Sequence, residues 1–188
     1  MSSAIFFVYA MHRRVGKGIN MSNKTEAQTI SIRLGGLRDA DMLHSLKYQA
    51  FLPLYEKYQD HDTSPATEQP QKIFELLMQD EIQYYLILFD GKEAGGICIR
   101  NIEEKIFRIA PLFILPEFQK KGIASHVLKL IFELYPEAET WRLEAIQQER
   151  DTCRLYEKLG FQVTGERKRV NDKMEILSYE KKVNEEVE

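Results

Sequence analysis

Apolar and polar residues alternate over several short stretches of the chain, a pattern that is typical of half-buried strands. Asp90-Gly91 lies between two of these stretches and indicates a hairpin turn. The last stretches predict a terminal hairpin. Strands are predicted at residues 29–34, 83–89, 94–100, 106–115, 141–146, 161–164 and 173–181.

Helical spacing of apolar residues occurs in four other segments, which are residues 39–50, 71–79, 122–135 and 151–159. The clearest is the third, because Ile123, Val127 and Ile131 fall on one face and Pro136 lies just past the end. Residues 53–70 are polar, aromatic and interrupted by proline. We expect them to form an ordered, irregular segment that faces a substrate.

The order of these elements predicts a mixed α/β fold around one sheet. Pro111 lies inside the predicted strand 106–115, where a missing N–H donor favours a break or bulge.

Residues 4–10 are apolar and His12-Arg13-Arg14 follow them, the reverse of the order in a signal peptide. We therefore expect residues 1–20 to be a poorly ordered extension and residues 21–188 to be a single domain.

Charge and composition argue against several classes of function. The net charge of −3 argues against broad nucleic-acid binding, and no segment reaches membrane-spanning length. The two cysteines belong to no CxxC or Cys/His cluster, so no metal is expected and a reducing cytoplasm is the simple interpretation.

The segment 113–124 combines the end of a strand, a short polar loop and the start of the clearest helix. A helix N-terminus presents free N–H groups and a positive dipole end, which together bind phosphate. Gly122 lets the backbone approach an anion closely, and Lys120 and Lys121 add positive charge. Without a Walker lysine-serine pair, a nucleotide-binding protein is a weaker alternative.

Two blocks of this chain resemble the GNAT (GCN5-related N-acetyltransferase) family. Gln119-Lys120-Lys121-Gly122-Ile123-Ala124 is similar to the family's Q/R-x-x-G-x-G/A signature, and Leu155 to Phe161 is similar to its LYEKxGF block. The resemblance covers residues 29–182. It implies a mostly antiparallel sheet with splayed central strands, flanked by helices.

The resemblance also implies a ligand and its binding residues. Acetyl-CoA would be the cosubstrate, with its pantetheine arm between the splayed strands. Backbone groups of Phe113 and Ile114 would hold the pantetheine and the acyl carbonyl. Backbone N–H groups of the signature would hold the pyrophosphate; these belong to Gln119, Lys120, Lys121, Gly122, Ile123 and Ala124.

Catalytic candidates follow from the same resemblance. Tyr156 matches the family tyrosine near the CoA sulfur and is the candidate general acid. Glu144, on the strand lining the cleft, and Glu149, where many members have asparagine, are candidate bases. A water chain, His61 and His126 are the alternatives. Cys153 shows no base partner, so direct transfer is expected rather than a covalent enzyme intermediate.

The sequence thus predicts a cytoplasmic N-acetyltransferase that transfers an acetyl group from acetyl-CoA to a primary amine. The acidic residues Glu56, Asp60 and Asp62 would suit a cationic acceptor. The acceptor itself stays open, and so does a homodimer, which is common in the family. The alternative is a catalytically weak CoA-binding or regulatory module, which the glutamate at position 149 keeps open.

Overall fold

The computed structural model describes residues 28–183. The prediction about residues 1–20 therefore concerns residues outside the described part. The strands are β1 (Ile30–Leu34), β2 (Ile82–Phe89), β3 (Lys92–Glu103), β4 (Ile106–Ile114), β5 (Thr140–Ile146), β6 (Gln162–Arg169) and β7 (Glu175–Lys182). The α-helices are α1 (Ala40–Tyr58), α2 (Pro70–Leu77), α3 (Ile123–Leu134) and α4 (Arg150–Lys158).

The strands form one sheet in the order β1-β2-β3-β4-β5-β7-β6. Every neighbouring pair is antiparallel except β4 with β5, which is parallel. The predicted mixed α/β fold, with a mostly antiparallel sheet flanked by helices, is confirmed.

The two central strands separate partway along their length. β4 pairs with β5 only over Ile106–Ile109 and residues 140–143, and each strand then continues without the other. We call this opening the splay. A register shift between β3 and β4 occurs beside Pro111, as its missing N–H predicts.

Helices cover the two faces of the sheet unequally. The apolar face of α3 packs with α4 over the side chains of Trp141 and Leu143 in β5. On the other face, α1 packs against β3 and β4, and α2 packs against β2. Because side chains alternate along a strand, Arg142 and Glu144 of β5 point to this second face, where both remain partly exposed.

Two element boundaries differ most from the predictions, while others, such as those of β3, shift by at most three residues. Helix α1 continues through Pro53 to Tyr58, so the irregular segment is shorter than expected. The Pro53 ring lies on the exposed side of the helix, and packing of Phe51 against Phe113, with ring centroids 6.1 Å apart, supports the added turns. Strand β6 extends to Arg169 although its residues are all exposed, because it pairs with β7.

Candidate active site

The loop before α3, residues 119–122, has the backbone geometry of an anion site, and we call it the anion loop. Lys120 and Gly122 both adopt left-handed conformations, with φ of +59° and +76°. Within residues 28–183, the N–H groups of Lys120, Lys121 and Gly122 donate to no protein acceptor. The first N–H groups of α3 are free as well, as in any helix. Left-handed turns of this kind form concave nests of N–H groups that bind anions.

The surroundings of this loop leave room for a ligand. A Cβ atom added to Gly122 would meet no atom of residues 28–183 within 4 Å. The Nζ atom of Lys121 lies 5.3 Å and 5.2 Å from the ring centroids of Phe89 and Phe118. These cation–π contacts hold the Lys121 ammonium beside the loop. Both Lys120 and Lys121 are exposed.

The loop is joined to the splay through Gln119. Its side-chain Nε2 donates to the carbonyl oxygen of Ile114 over 3.0 Å. The Phe113 side chain is buried against Phe51 and Tyr84, so this side chain is not available at the splay. The structure thus brings the predicted residues 113–114 and 119–124 together along one continuous path.

A pair of glycines in β3 allows β4 to lie close at this point. A Cβ atom on Gly95 would stand 2.1 Å from the carbonyl oxygen of Phe113, and one on Gly96 would stand 2.6 Å from the Phe113 ring. Any larger residue would push β4 away. The glycines therefore fix the path of the strand that borders the splay.

Tyr156 lies in α4, within the core on the α3 side of the sheet. Its ring packs against Phe161 and Tyr179, with centroid separations of 5.8 Å and 6.2 Å. Burial raises the pKa of Tyr156 to about 12. Its hydroxyl has no hydrogen-bond partner among the described residues. Tyr156 is therefore protonated at neutral pH and has a free donor.

Glu149 is held by the end of α1. Lys57 Nζ lies 2.7 Å and the Tyr58 hydroxyl 2.5 Å from Glu149 Oε1. Burial opposes ionisation of Glu149, but the hydrogen bonds from Lys57 and Tyr58 outweigh it and hold the pKa of Glu149 below its ordinary value. We call Lys57, Tyr58 and Glu149 the α1 clasp. It joins the helix above β3 and β4 to the connection that follows β5, across the splay.

The hairpin between β6 and β7 reinforces this contact. Asn171 Nδ2 donates to the backbone carbonyl of Tyr58 over 3.0 Å, and Lys173 Nζ to Gln59 Oε1 over 3.3 Å. Sequence reasoning missed Lys57 and Tyr58. No local spacing connects them to Glu149, which lies more than 90 residues further along the chain.

Glu144 lies at the narrow end of the splay. It is the first β5 residue beyond the paired part, and its carboxylate forms an ion pair with Arg108 of β4 over 2.7 Å. Arg108 is a third residue that sequence reasoning missed. The structure therefore places Glu144 and the α1 clasp on the α1 face and Tyr156 in the helical layer on the opposite face.

Other polar residues of the sequence have structural roles. The buried Asp60 accepts hydrogen bonds from the N–H and the hydroxyl of Thr63, so its carboxylate is engaged within its own turn. His61 pairs with the Tyr55 hydroxyl at 3.0 Å. Cys153 is buried, and its Sγ lies 3.5 Å from the carbonyl oxygen of Ile146.

Two other features are absent from residues 28–183. No three His, Cys, Asp or Glu side chains there are grouped so that they could hold a metal ion. No helix in this part of the chain combines the length and the apolar character needed to cross a membrane.

Solved structures with the same fold share this arrangement of strands and helices. The chain superposes on the PaiA N-acetyltransferase of Thermoplasma acidophilum in complex with coenzyme A, with a TM-score of 0.66, 18% identity, and coverage of 82% of this chain and 99% of that one. For a putative phosphinothricin N-acetyltransferase the TM-score is 0.68 and the identity 16%, with 84% of this chain and 100% of that one covered. For the microcin C7 self-immunity acetyltransferase MccE, in complex with acetyl-CoA and AMP, the TM-score is 0.61 and the identity 16%, with 82% of this chain and 92% of that one covered.

Sequence comparison identifies the family directly. A search of curated proteins finds no match. The sequence profile of the acetyltransferase (GNAT) family, however, matches residues 46–161, which include the end of α1, the splay, the anion loop and the Tyr156 block. With more than half of its length matched, the chain belongs to the GNAT family of acetyltransferases.

Proposed function

We propose that this protein is an acetyl-CoA-dependent N-acetyltransferase that transfers the acetyl group directly to a primary amine. The observation that carries the proposal is the position of the anion loop. Free N–H groups of Lys120, Lys121 and Gly122 stand immediately beyond the strand that borders the splay. One ligand with a pyrophosphate and an extended amide-containing arm would satisfy both features.

The proposed binding mode uses mainly backbone groups. The free N–H groups of residues 120–124 would hold the pyrophosphate, and the ammonium of Lys121 would add charge. The N–H of Gln119, also expected to contribute, donates instead to the carbonyl oxygen of Pro116. The pantetheine arm would lie in the splay as an additional strand, pairing with backbone groups of Phe113 and Ile114. Gln119, which donates to the Ile114 carbonyl, would link the two parts of the site.

In the transfer step, the neutral amine nitrogen attacks the thioester carbon. A C–N bond forms, the C–S bond breaks, and the electron pair of that bond leaves with the sulfur. One proton leaves the nitrogen and the thiolate finally gains one, so the products are an N-acetyl amide and CoA thiol. No covalent intermediate with Cys153 is needed, because that thiol is buried within the core.

Tyr156 would donate a hydrogen bond to the departing sulfur. An ordinary thiol has a pKa of about 8.5, and burial raises the pKa of Tyr156 well above that value, so complete proton transfer to the thiolate would be uphill. Burial of the thiolate in the same site would reduce this gap. The first contribution of Tyr156 is therefore stabilisation of the developing charge, with the proton following as the products separate.

The proton acceptor for the amine would be Glu144 or a water molecule beside it. Glu144 is almost half exposed at the narrow end of the splay, where a solvated amine can reach it. Glu149 is the weaker candidate, since its pKa is lowered and its hydrogen bonds from Lys57 and Tyr58 must break before it can take a proton.

A screen of primary amines with acetyl-CoA, following release of free CoA thiol, tests this function. We expect at least one amine to give turnover well above the rate of acetyl-CoA hydrolysis. Both candidate bases are engaged in ion pairs, which favours a CoA-binding module as the second candidate. Tight acetyl-CoA binding in calorimetry without turnover on any amine would support that second function instead.

A further inference from the structure

Three arginines form a row across the middle of the sheet. The strand register pairs Arg100 of β3 with Arg108 of β4, and Arg108 with Arg142 of β5. Their chain neighbours Ile99, Ile109 and Leu143 lie in the core beneath α3 and α4. Because side chains alternate, all three arginines belong to the α1 face. Adjacent strands are about 5 Å apart, so the arginine row spans only about 10 Å.

The charges in this row are not balanced. Arg108 pairs with Glu144 at 2.7 Å, and Arg142 pairs with Glu180 at 2.9 Å. Arg100 has no ion pair or hydrogen bond within the described residues, and its Nε is buried without a partner. Like charges on neighbouring strands destabilise a sheet, and an unpaired buried donor adds a further cost. No hydrogen bond or ion pair within residues 28–183 therefore accounts for the charge of Arg100.

The position of the row suggests what it binds. Pairing between β4 and β5 ends at Ile109 and Leu143, so Arg108 and Glu144 lie at the narrow end of the splay. If acetyl-CoA occupies the splay as proposed, the acetyl group and the acceptor meet near this end. A carboxylate and a surplus of guanidinium groups thus lie on the surface from which the acceptor approaches.

We propose that the acceptor is a small amine that also carries an anionic group, a carboxylate or a phosphate, and that Arg100 and Arg108 bind this group. This inference rests on the proposed function. The acceptor nitrogen would lie toward Glu144, and the anion would bind the planar guanidinium fork, which matches carboxylate and phosphate oxygens.

Matched pairs of amines test this specificity with the full chain and acetyl-CoA. Suitable pairs are phenylethylamine and phenylalanine, tryptamine and tryptophan, agmatine and arginine, and ethanolamine and O-phosphoethanolamine. We expect at least one anionic member to be used about tenfold better in kcat/KM than its partner, since two charge-assisted hydrogen bonds add at least this factor. The carboxylate and phosphate pairs also distinguish the two anions.

Arg100→Met keeps an unbranched apolar stem and removes the charge and the buried N–H. It should raise KM for the preferred anionic amine about tenfold or more and leave the neutral partner unchanged. The melting temperature should stay the same or rise, because the variant relieves repulsion between Arg100 and Arg108. Arg38→Met removes one charge from an exposed arginine outside the row and should change neither quantity.

Calorimetry separates failure of this inference from failure of the proposed function. A protein that does not bind acetyl-CoA would overturn the proposed function. A protein that binds acetyl-CoA but prefers amines without an anion would overturn the inference alone. The same holds if Arg100→Met affects both members of a pair equally. If no amine is turned over, calorimetry with the CoA-saturated protein decides: absence of binding by every anionic amine refutes the inference.

Discussion

The anion loop can be tested with two variants of equal shape, Gly122→Asp and Gly122→Asn. Both side chains are among those that tolerate the left-handed backbone conformation at this position. An added Cβ atom meets no protein atom within 4 Å, so the new side chain projects into the space proposed for the pyrophosphate. The two variants differ only in whether that side chain carries a negative charge.

The negative charge of the aspartate variant should raise folding stability and lower the affinity for acetyl-CoA, relative to the asparagine variant. Replacing a glycine with φ of +76° should cost both variants about 1 kcal/mol, or about 2–4 °C in melting temperature for a chain of this length. A carboxylate at the N-terminus of α3 interacts favourably with the helix dipole and should restore about 0.3–1 kcal/mol in the aspartate variant. The same carboxylate repels a pyrophosphate by about 1–4 kcal/mol at close range.

The prediction is therefore that Gly122→Asp is at least as stable as Gly122→Asn and binds acetyl-CoA at least about tenfold more weakly. Isothermal titration calorimetry gives the two dissociation constants, and thermal unfolding without ligand gives the stabilities. Added salt should reduce the difference in affinity, because the repulsion acts near the surface. Equal affinities of the two variants would falsify the assignment of this loop as the pyrophosphate site.

Three further predictions concern the strands and side chains around the splay. Tyr156→Phe should lower kcat about 10²-fold in CoA-release assays with little change in acetyl-CoA affinity; an unchanged kcat would leave Tyr156 a packing role only. Glu149→Gln should lower stability at pH 7 by about 1–2 kcal/mol in urea unfolding. Because the folded-state pKa of Glu149 is lowered, its contribution is present above the unfolded pKa of about 4.3 and is lost as pH falls through the folded value. The gap between the two proteins should therefore close in acid, and a gap independent of pH would contradict the role of the α1 clasp. Gly95→Ala should lower the unfolding free energy by about 1–3 kcal/mol, since its Cβ would overlap the Phe113 carbonyl; Gly36→Ala, where nothing lies within 4 Å, is the control, and equal effects would contradict the close approach.

Local sequence patterns were sufficient where a signal is contained within one element. The helical spacing after Gly122 and the proline within β4 predicted α3 and the bulge, and both are confirmed. The same patterns failed at the end of α1. The propensity of Pro53 to end a helix was outweighed by packing of Phe51 on Phe113 before the proline and by burial and hydrogen bonding of Tyr58 after it. They also failed along β6. Its residues are all exposed and show no alternation of apolar and polar positions, and the strand is held by pairing with β7.

The sequence by itself determined the family and the anion loop, because both depend on residues adjacent in the chain. A strand end, a glycine and a helix start present free N–H groups at the helix N-terminus whatever the rest of the chain does. Only the tertiary structure decided the two arrangements that connect distant residues. Glu149 meets Lys57 and Tyr58 because α1 crosses above the splay, and Arg100 stands beside Arg108 because of one strand register. Such contacts depend on pairing and packing over the whole sheet, and no local spacing encodes them.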